Sequence, residues 1–420
     1  MGLFLTKTNG IDLPANSSCW LLTAALLFFF LGNVPFKAFG YGVLLIITFF
    51  FAARKFRDVF PLIASSFSLI VLWIALGGSY FWSVVPHATA SVIFSQSVFI
   101  IFSLFLAAIH FSMGLSQPLK QAAKLLLVIV VAYVAMNPGY SISGFGLRSF
   151  YAQKNLLGAM MALCALGFVF SESRKKMDWL WAGGAGGLLI CSLSKTSIIL
   201  FALCFLLTNV VDISIHRKKS VSQALTVKQI LGALLVVLLG IALLFMIVYR
   251  DEVIDFFWRH ITNELFTGRG RLWLVVIQQV RGASLLGIGP GVLWQAGGAS
   301  EITQTTLYQK DPYWIQRMVS SDGSYIDLFA SLGVLGIALF LFTAVDLYRR
   351  LFRQWHLPDS RLIFALVTFV LLHGVTESTI LYSTNILWLL YLLCYFRVAR
   401  YARKDVAPDS AQKTRLPACC

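Results

Sequence analysis

Long apolar stretches alternate with short polar segments along almost the whole chain. Runs long enough to cross a hydrocarbon core as helices fall at 19–35, 39–53, 60–78, 91–113, 121–137, 155–172, 178–193, 195–212, 229–249, 324–347, 361–377 and 383–399. This pattern predicts an all-α polytopic membrane protein of about twelve transmembrane helices. The runs follow one another along the chain, so we expect a single transmembrane domain over 1–420.

The composition supports a membrane location for most of the chain. Hydrophobic residues make up 58% of the 420 residues and charged residues 12%, and the mean hydropathy is +0.79. A soluble domain usually carries about 25% charged residues, so this chain has too little polar surface to cover a globule in water. The net charge of +16 does not indicate nucleic-acid binding, because the basic residues form short clusters between the apolar runs.

These basic clusters predict an orientation. Cytoplasmic loops carry an excess of Lys and Arg, and placing both termini in the cytoplasm puts 23 of the 34 basic residues on that side. Residues 250–323, between the ninth and tenth runs, then form a large extracytoplasmic loop. The apolar spacing of 271–280 predicts a helix within this loop, and the glycines of 287–291 predict a turn after it.

Five of the remaining basic residues lie at or near the ends of apolar runs on the extracytoplasmic side: Arg148, Lys154, Lys195, Arg269 and Arg271. A partly buried positive charge in a membrane helix costs roughly 2.5–3.5 kcal/mol. Such a charge persists most readily where it binds an anion, and Arg and Lys both bind phosphate well. We therefore predict an anion site on this face. For a single residue such as Lys195, the alternative is that its ammonium group only extends to the lipid headgroups.

Acidic side chains are predicted on the same face. Asp322 precedes the tenth run, where it would either cap the helix or act as a general base that neighbouring cations keep ionised. Asp327 lies inside the tenth run and needs a partner or a water-lined cavity. His373 and Glu377 are four residues apart in the eleventh run and are expected to share a helix face. Glu377 would then pair with a cation and orient it, or form a hydrogen bond between helices.

The chain lacks the motifs of nucleotide-dependent enzymes. It has no Walker loop, Rossmann fingerprint or HExxH motif, and no paired acids of the kind that hold a divalent metal in nucleotide-sugar transferases. The predicted site also faces away from ATP and nucleotide sugars. A lipid diphosphate would supply the energy of a group transfer, because cations stabilise its charge as it leaves. We expect neither a metal nor a cofactor besides such a lipid-linked donor.

Short motifs follow one another between about residues 79 and 380. They are Trp82-Ser83 with Pro86, Gln153-Lys154-Asn155-Leu156-Leu157-Gly158, Ser194-Lys195-Thr196, Thr267-Gly268-Arg269 with Trp273, Gly287-Ile288-Gly289-Pro290-Gly291, Ser324-Tyr325-Ile326-Asp327-Leu328-Phe329 and Leu332-Gly333-Val334-Leu335-Gly336. In their order and topological sides, these motifs resemble the O-antigen ligase and polysaccharide polymerase superfamily of bacterial inner-membrane proteins.

The resemblance implies a metal-independent glycosyltransferase with the GT-C-like architecture of polytopic membrane transferases. It would take a glycan from undecaprenyl diphosphate on the periplasmic face and join it to an acceptor hydroxyl. By the same resemblance, Arg269 matches a diphosphate-binding arginine, and Lys195 stands where ligases usually carry arginine. Asp322 and Gln153 each stand where a histidine is common, and the histidine at the Asp322 position is proposed to activate the acceptor.

The resemblance and the cations together define one expected site. Its catalytic residues would be Asp322, Arg269 and Lys195; its diphosphate-binding residues Arg269, Lys195, Lys154, Arg148 and Arg271; and its supporting residues Glu377, Gln153, Tyr325 and His373. The implied partners are an undecaprenyl-diphosphate-linked oligosaccharide and membrane lipid. A chain-length regulator and a flippase are further candidate partners, and no nucleic acid is expected.

Three functions fit this site. The Ser-Lys-Thr form of 194–196 favours an exopolysaccharide repeat-unit polymerase, which transfers a growing chain to the sugar of another lipid-linked unit. One alternative is an O-antigen ligase, whose acceptor is a sugar of the lipid A core. The other is a transporter or flippase for an anionic lipid-linked substrate. Alternating access predicts functional charge near the bilayer midplane and internal symmetry, and the sequence shows no repeat.

Overall fold

The computed structural model describes residues 15–32, 37–54, 56–109, 114–143, 146–217, 269–294 and 320–404. Helices make up most of these residues, and we number them in chain order: α1 (Ala15–Leu31), α2 (Lys37–Arg54), α3 (Phe56–Ser65), α4 (Phe67–Gly78), α5 (Pro86–Ile109), α6 (Ser116–Met136), α7 (Pro138–Ser141), α8 (Lys154–Val169), α9 (Lys176–Cys191), α10 (Lys195–Arg217), α11 (Arg269–Gln279), α12 (Ser324–Arg353), α13 (Ser360–His373) and α14 (Ile386–Lys404). Two two-residue strands, β1 (Ile142–Ser143) and β2 (Gly146–Leu147), form an antiparallel pair.

The described helices confirm the predicted all-α class of a membrane protein. Every predicted apolar run contains a helix except the ninth, 229–249, which lies outside the described residues together with most of the loop 250–323. Among the described helices, four are long and apolar enough to cross a membrane: α5, α6, Lys195–Ile215 of α10, and α12. A bent pair, α3 with α4, makes a fifth if the two helices form one span. The total of twelve spans stays a prediction.

The exterior of the helical bundle is strongly apolar. Ile46, Ile74 and Phe94 are each about two thirds or more exposed, on three different helices. Contiguous apolar surface of this kind is rare on soluble monomers and is the normal outer surface of a membrane protein. Helix α8, by contrast, is buried along nearly its whole length and lies inside the bundle.

The third predicted run is broken. The pattern predicts one helix over 60–78, whereas the structure divides this run between α3 and α4, which meet at an angle of 83°. Ser66 lies at the junction in a non-helical conformation, and its hydroxyl donates to the Leu62 carbonyl oxygen at 2.6 Å. Bonds from a serine side chain to the preceding turn compete with regular helix geometry. The predicted run is therefore helical on both sides of this junction but divides into two helices.

Helix α12 is interrupted at Gly333, where φ is 65° and ψ is −159°. Residues 284–289 lie against this interruption, and the Ile288 amide donates to the Ala330 carbonyl oxygen at 2.9 Å. Such bonds satisfy backbone groups that a broken helix leaves unpaired. A Cβ atom at Gly333 would overlap the Leu285 carbonyl oxygen, so only glycine fits. The two glycine-rich motifs, far apart in sequence, are thus neighbours in space.

Contacts between helix ends define two opposite faces of the bundle. Where α8 begins, Asn155 accepts a hydrogen bond from Ser197 near the start of α10. Shortly after α8 ends, the Ser173 carbonyl accepts a hydrogen bond from Lys120 near the start of α6, at 2.8 Å. Lys120 also pairs with Asp178 near the start of α9 at 2.9 Å. We name the face where α8 begins the Arg269 face and the opposite one the Lys120 face.

Candidate functional site

Arg269, the first described residue of α11, lies between two carboxylates on the Arg269 face. Its Nη2 atom donates to Glu377 Oε1 at 2.7 Å, and its Nε atom donates to Asp322 Oδ2 at 3.4 Å. The side chain of Arg269 is only 14% exposed, whereas that of Asp322 is 35% exposed. The bond to Glu377 has the length of a strong charge-assisted hydrogen bond, whereas the contact with Asp322 is longer and weaker. The predicted pairing of Glu377 with a cation is confirmed, and the cation is Arg269.

Glu377 lies in the segment that follows α13, not on the helix itself. The pattern predicts a run as far as 377, whereas α13 ends at His373. The Glu377 amide donates to the His373 carbonyl oxygen in the turn after the helix, so Glu377 continues from α13 without belonging to it. Burial raises the pKa of the Glu377 carboxyl above its ordinary value, and the guanidinium of Arg269 opposes this shift. The ring of His373 is buried and stacks on Phe369 within the bundle.

Asp322 is held in a left-handed backbone conformation, with φ at 53°. The N-cap residue of α12 is Gly323, and no side chain caps this helix end. The capping interpretation of Asp322 is therefore wrong, and its carboxylate faces Arg269 instead. Neighbouring bonds fix the backbone on both sides: Trp273 Nε1 donates to the Ser321 carbonyl at 2.9 Å, and the Gly323 amide donates to Ser378 Oγ at 3.1 Å.

Asp327, in the first turn of α12, fixes the same segment by hydrogen bonds. Its Oδ1 atom accepts hydrogen bonds from the Ser321 amide at 2.9 Å and from Trp294 Nε1 at 3.2 Å. Its Oδ2 atom accepts one from the hydroxyl of Ser378. The predicted need of Asp327 for partners is thus confirmed. Because its partners come from three segments, Asp327 holds the turn that carries Asp322.

The starts of α8 and α10 lie against each other beside this group. The hydroxyl of Ser194 donates to Ser197 Oγ at 3.0 Å, and Ser197 Oγ donates to the Asn155 carbonyl at 3.5 Å. Gly158 allows this approach, since a Cβ atom there would lie 2.6 Å from the Ser194 Cβ atom. The side chain of Asn155 in turn donates to Glu377 Oε1 at 3.4 Å. Asn155 therefore links the starts of α8 and α10 to the ion pair between Arg269 and Glu377.

Two lysines adjoin these contacts. Lys154 is the first residue of α8 and Lys195 the first residue of α10, and neither helix has an acidic residue in its first turn. A helix N-terminus carries a positive partial charge, so a cation there adds to the local field instead of offsetting it. Lys195 is exposed and Lys154 is half-buried. With Arg269 they place three cationic side chains on this face, and we name these three residues the cationic group.

The other predicted residues occupy different positions. Arg148 is held in its own loop, where Nε donates to the Tyr140 carbonyl at 2.9 Å and the guanidinium lies 4.1 Å from the ring centroid of that residue. Gln153 is the exposed N-cap residue of α8 and makes no capping bond with its side chain. The hydroxyl of Tyr325 donates to the Leu371 carbonyl at 2.9 Å and ties α12 to α13. The remaining predicted residue is Arg271, whose backbone belongs to α11. The described part of the structure does not include its side chain.

Sequence reasoning missed several residues that build the site. Asn155 and Ser324 stand in the sequence as ordinary members of short motifs, and Ser378 belongs to none of them. Ser324 Oγ donates to the Glu377 carbonyl at 2.8 Å and accepts a hydrogen bond from the Thr379 amide at 2.7 Å. These contacts join residues more than 50 positions apart. No local pattern in the sequence signals them.

The arrangement supports two chemical tasks. The guanidinium and the two ammonium groups are suited to hold an anion, and the partly exposed Asp322 carboxylate is suited to accept a proton. Within the described ranges, no three His, Cys, Asp or Glu side chains lie close enough together to hold a metal ion. The side chains that converge on this face thus favour anion binding and proton transfer.

A double-mutant cycle tests the ion pair without reference to function. Arg269→Ala and Glu377→Ala should each lower the free energy of unfolding in detergent, because each leaves the other charge partly buried and unpaired. The double variant should lose less than the sum, with a coupling energy of about 0.5–3 kcal/mol. Arg148→Ala combined with Glu377→Ala is the control and should be additive, since Arg148 bonds to Tyr140. Additive losses in the first cycle would contradict the ion pair.

Comparison of the chain with models of known protein families gives no match, and comparison with curated proteins gives none either.

Proposed function

We propose that the chain is a glycosyltransferase of the bacterial inner membrane. It acts as an exopolysaccharide polymerase, which transfers a growing glycan from undecaprenyl diphosphate to the sugar end of another lipid-linked repeat unit. The proposal includes twelve transmembrane helices in a GT-C-like arrangement, cytoplasmic termini and a periplasmic site. One observation carries it: Arg269 lies between Asp322 and Glu377 at the face where α8 and α10 begin with lysines.

The donor diphosphate would bind at the cationic group. Arg269 would donate to a phosphate from the guanidinium N–H groups that do not bond to Glu377, and Lys154 and Lys195 offer mobile point charges on the same face. Arg148 and Arg271 are further predicted ligands of the same diphosphate. Negative charge grows on the diphosphate as its bond to the sugar breaks, and fixed cations stabilise that charge best when they are already in place. Glu377 keeps Arg269 in place through the shorter of its two ion pairs.

The acceptor sugar would be activated by Asp322. Its carboxylate is more exposed than that of Glu377, and its bond to Arg269 is the longer one, so it is the carboxylate that a substrate hydroxyl can reach. In the transfer, the acceptor oxygen forms a bond to the anomeric carbon and its proton passes to Asp322. The bond between that carbon and the diphosphate breaks, and the diphosphate leaves with the electron pair.

The position of the site favours transfer over transport. Alternating access places substrate charges near the bilayer midplane, where both sides can reach them in turn. Arg269, Lys154 and Lys195 instead lie at helix ends on one face of the bundle. A ligase would use the same donor chemistry with a lipid A core sugar as the acceptor, so the product distinguishes the two enzymes.

Loss of Arg269 should abolish transfer. Purified protein in proteoliposomes is supplied with undecaprenyl-diphosphate-linked repeat units, and the products are resolved on gels. Arg269→Ala should lower the rate by roughly 10²–10³-fold, the usual cost of removing one donor to a developing negative charge. Arg281→Ala, an exposed arginine in the segment after α11, is the matched control and should behave like the wild type.

The products of this assay also separate the alternatives. Ladders of lipid-linked polymer support a polymerase. Transfer only to an added lipid A core acceptor would instead indicate a ligase, and normal chain length with Arg269→Ala would refute the role of Arg269.

Replacing the proposed base should affect turnover more than binding. Asp322→Asn removes the proton acceptor but keeps the shape, so kcat should fall by about 10²–10⁴-fold while KM for the donor changes little. Asp327→Asn serves as a comparison: it weakens the turn that carries Asp322 and should lower thermal stability as well. If the Asp322→Asn variant polymerises at a near-normal rate, another group accepts the proton and Asp322 is not the base.

A further inference from the structure

A second charged feature lies on the Lys120 face, away from the site described above. An open cavity of about 460 Å³ is bordered by the junction of α3 and α4, the last turns of α12 and one turn of α14. Its charged lining consists of Asp346, Arg349, Arg350 and Arg353, all on α12. Their spacing of i, i+3, i+4 and i+7 places them along one side of the helix.

One of these arginines is built into the wall of the cavity. Arg350 Nε donates to Asp346 Oδ1 at 2.7 Å, and Arg350 Nη1 donates to the Ser65 carbonyl at 2.6 Å. That carbonyl belongs to the last residue of α3, next to the 83° bend. The bend thus exposes a backbone acceptor that a continuous helix would use internally, and Arg350 occupies it.

Asp346, the one acid among the described residues that line the cavity, is engaged with other groups. Besides Arg350, Asp346 accepts hydrogen bonds from Ser68 Oγ at 2.8 Å and from the hydroxyl of Tyr395 at 3.1 Å. Arg349 and Arg353 are exposed and line the same cavity. Among the described residues, no ion pair joins either of them to an acid. The cavity therefore carries a net positive charge of about two, with two guanidinium groups open to a ligand.

We propose that this cavity binds a phosphate-bearing anion between Arg349 and Arg353. Arginine forks match phosphate oxygens in pairs, and basic pockets between membrane helices hold phospholipid headgroups. Phe67, at the rim of the cavity, is 64% exposed and provides apolar surface next to the charged lining. An anion with an adjoining acyl chain fits this combination. The shared chemistry is the phosphate group, which comes from an anionic phospholipid or from a free phosphate compound.

A general excess of basic residues at loops does not by itself account for this arrangement. The positive-inside preference requires arginines near helix ends but does not require a cavity, a broken helix or an arginine fixed in the wall. Arg174 and Lys176, exposed at the start of α9, represent the ordinary case on the same face. They allow a control with the same loss of charge.

Binding to the intact protein in detergent tests the proposal. The probes are dioleoyl phosphatidylglycerol and dioleoyl phosphatidylcholine, titrated by native mass spectrometry, and inorganic phosphate as a soluble competitor. The double variant Arg349→Ala with Arg353→Ala should bind phosphatidylglycerol at least tenfold more weakly than the wild type. The control Arg174→Ala with Lys176→Ala should change this affinity less than threefold. Each single variant, Arg349→Ala or Arg353→Ala, should show an intermediate loss.

The competitor distinguishes the two sources of phosphate. If phosphatidylglycerol stays bound in excess inorganic phosphate, the ligand is a lipid headgroup. If inorganic phosphate displaces it and binds the wild type more tightly than the double variant, the ligand is a free phosphate compound. The proposal is overturned if the double variant binds phosphatidylglycerol and inorganic phosphate like the wild type. It is also overturned if the control variant Arg174→Ala with Lys176→Ala loses as much affinity for them as the double variant Arg349→Ala with Arg353→Ala. Unchanged thermal unfolding of the double variant excludes loss of the fold as the cause.

Discussion

The ion pair between Arg269 and Glu377 connects segments that are far apart in the sequence. Arg269 belongs to α11, Glu377 follows α13, and Asp322 leads into α12. Asn155 extends the connection to α8 through its bond to Glu377. In a region of low dielectric constant, an unpaired charge is costly, and a network of satisfied charges restricts each member to one geometry. Arg269 thus joins three of these segments directly, and Glu377 adds the start of α8 as the fourth.

The same interaction explains how a charged site can persist next to a membrane. Two carboxylates offset Arg269, so the protein without substrate does not leave this cation unpaired. Lys154 and Lys195 lie on the same face, where helix N-termini already provide a positive field. A diphosphate would add two phosphate groups to this field. The longer contact, between Arg269 and Asp322, is the one that a substrate would loosen, which would free Asp322 to accept a proton.

Apolar periodicity predicted the helices well because membrane helices are selected for length and hydrophobicity, both visible in one sequence. It did not predict the break at Ser66, where the serine hydroxyl bonds to the preceding turn, or the break at Gly333, where residues 284–289 supply the missing backbone partners. The charge pattern predicted that Asp327 needs a partner and that Glu377 pairs with a cation, since buried charges must be satisfied. It did not identify Asn155, because the side chain of this residue bonds to Glu377, which lies 222 positions away in the sequence.

The central claim is that the cationic group on the Arg269 face holds a lipid diphosphate, and direct binding tests it most simply. The measurement is the affinity of undecaprenyl diphosphate for purified protein in detergent. We predict that Lys195→Ala weakens binding about tenfold, as loss of one charge-assisted contact of about 1.4 kcal/mol would do, and that Lys195→Arg retains most of it. Undecaprenyl diphosphate that binds wild type, Lys195→Ala and Arg269→Ala with equal affinity would contradict the account.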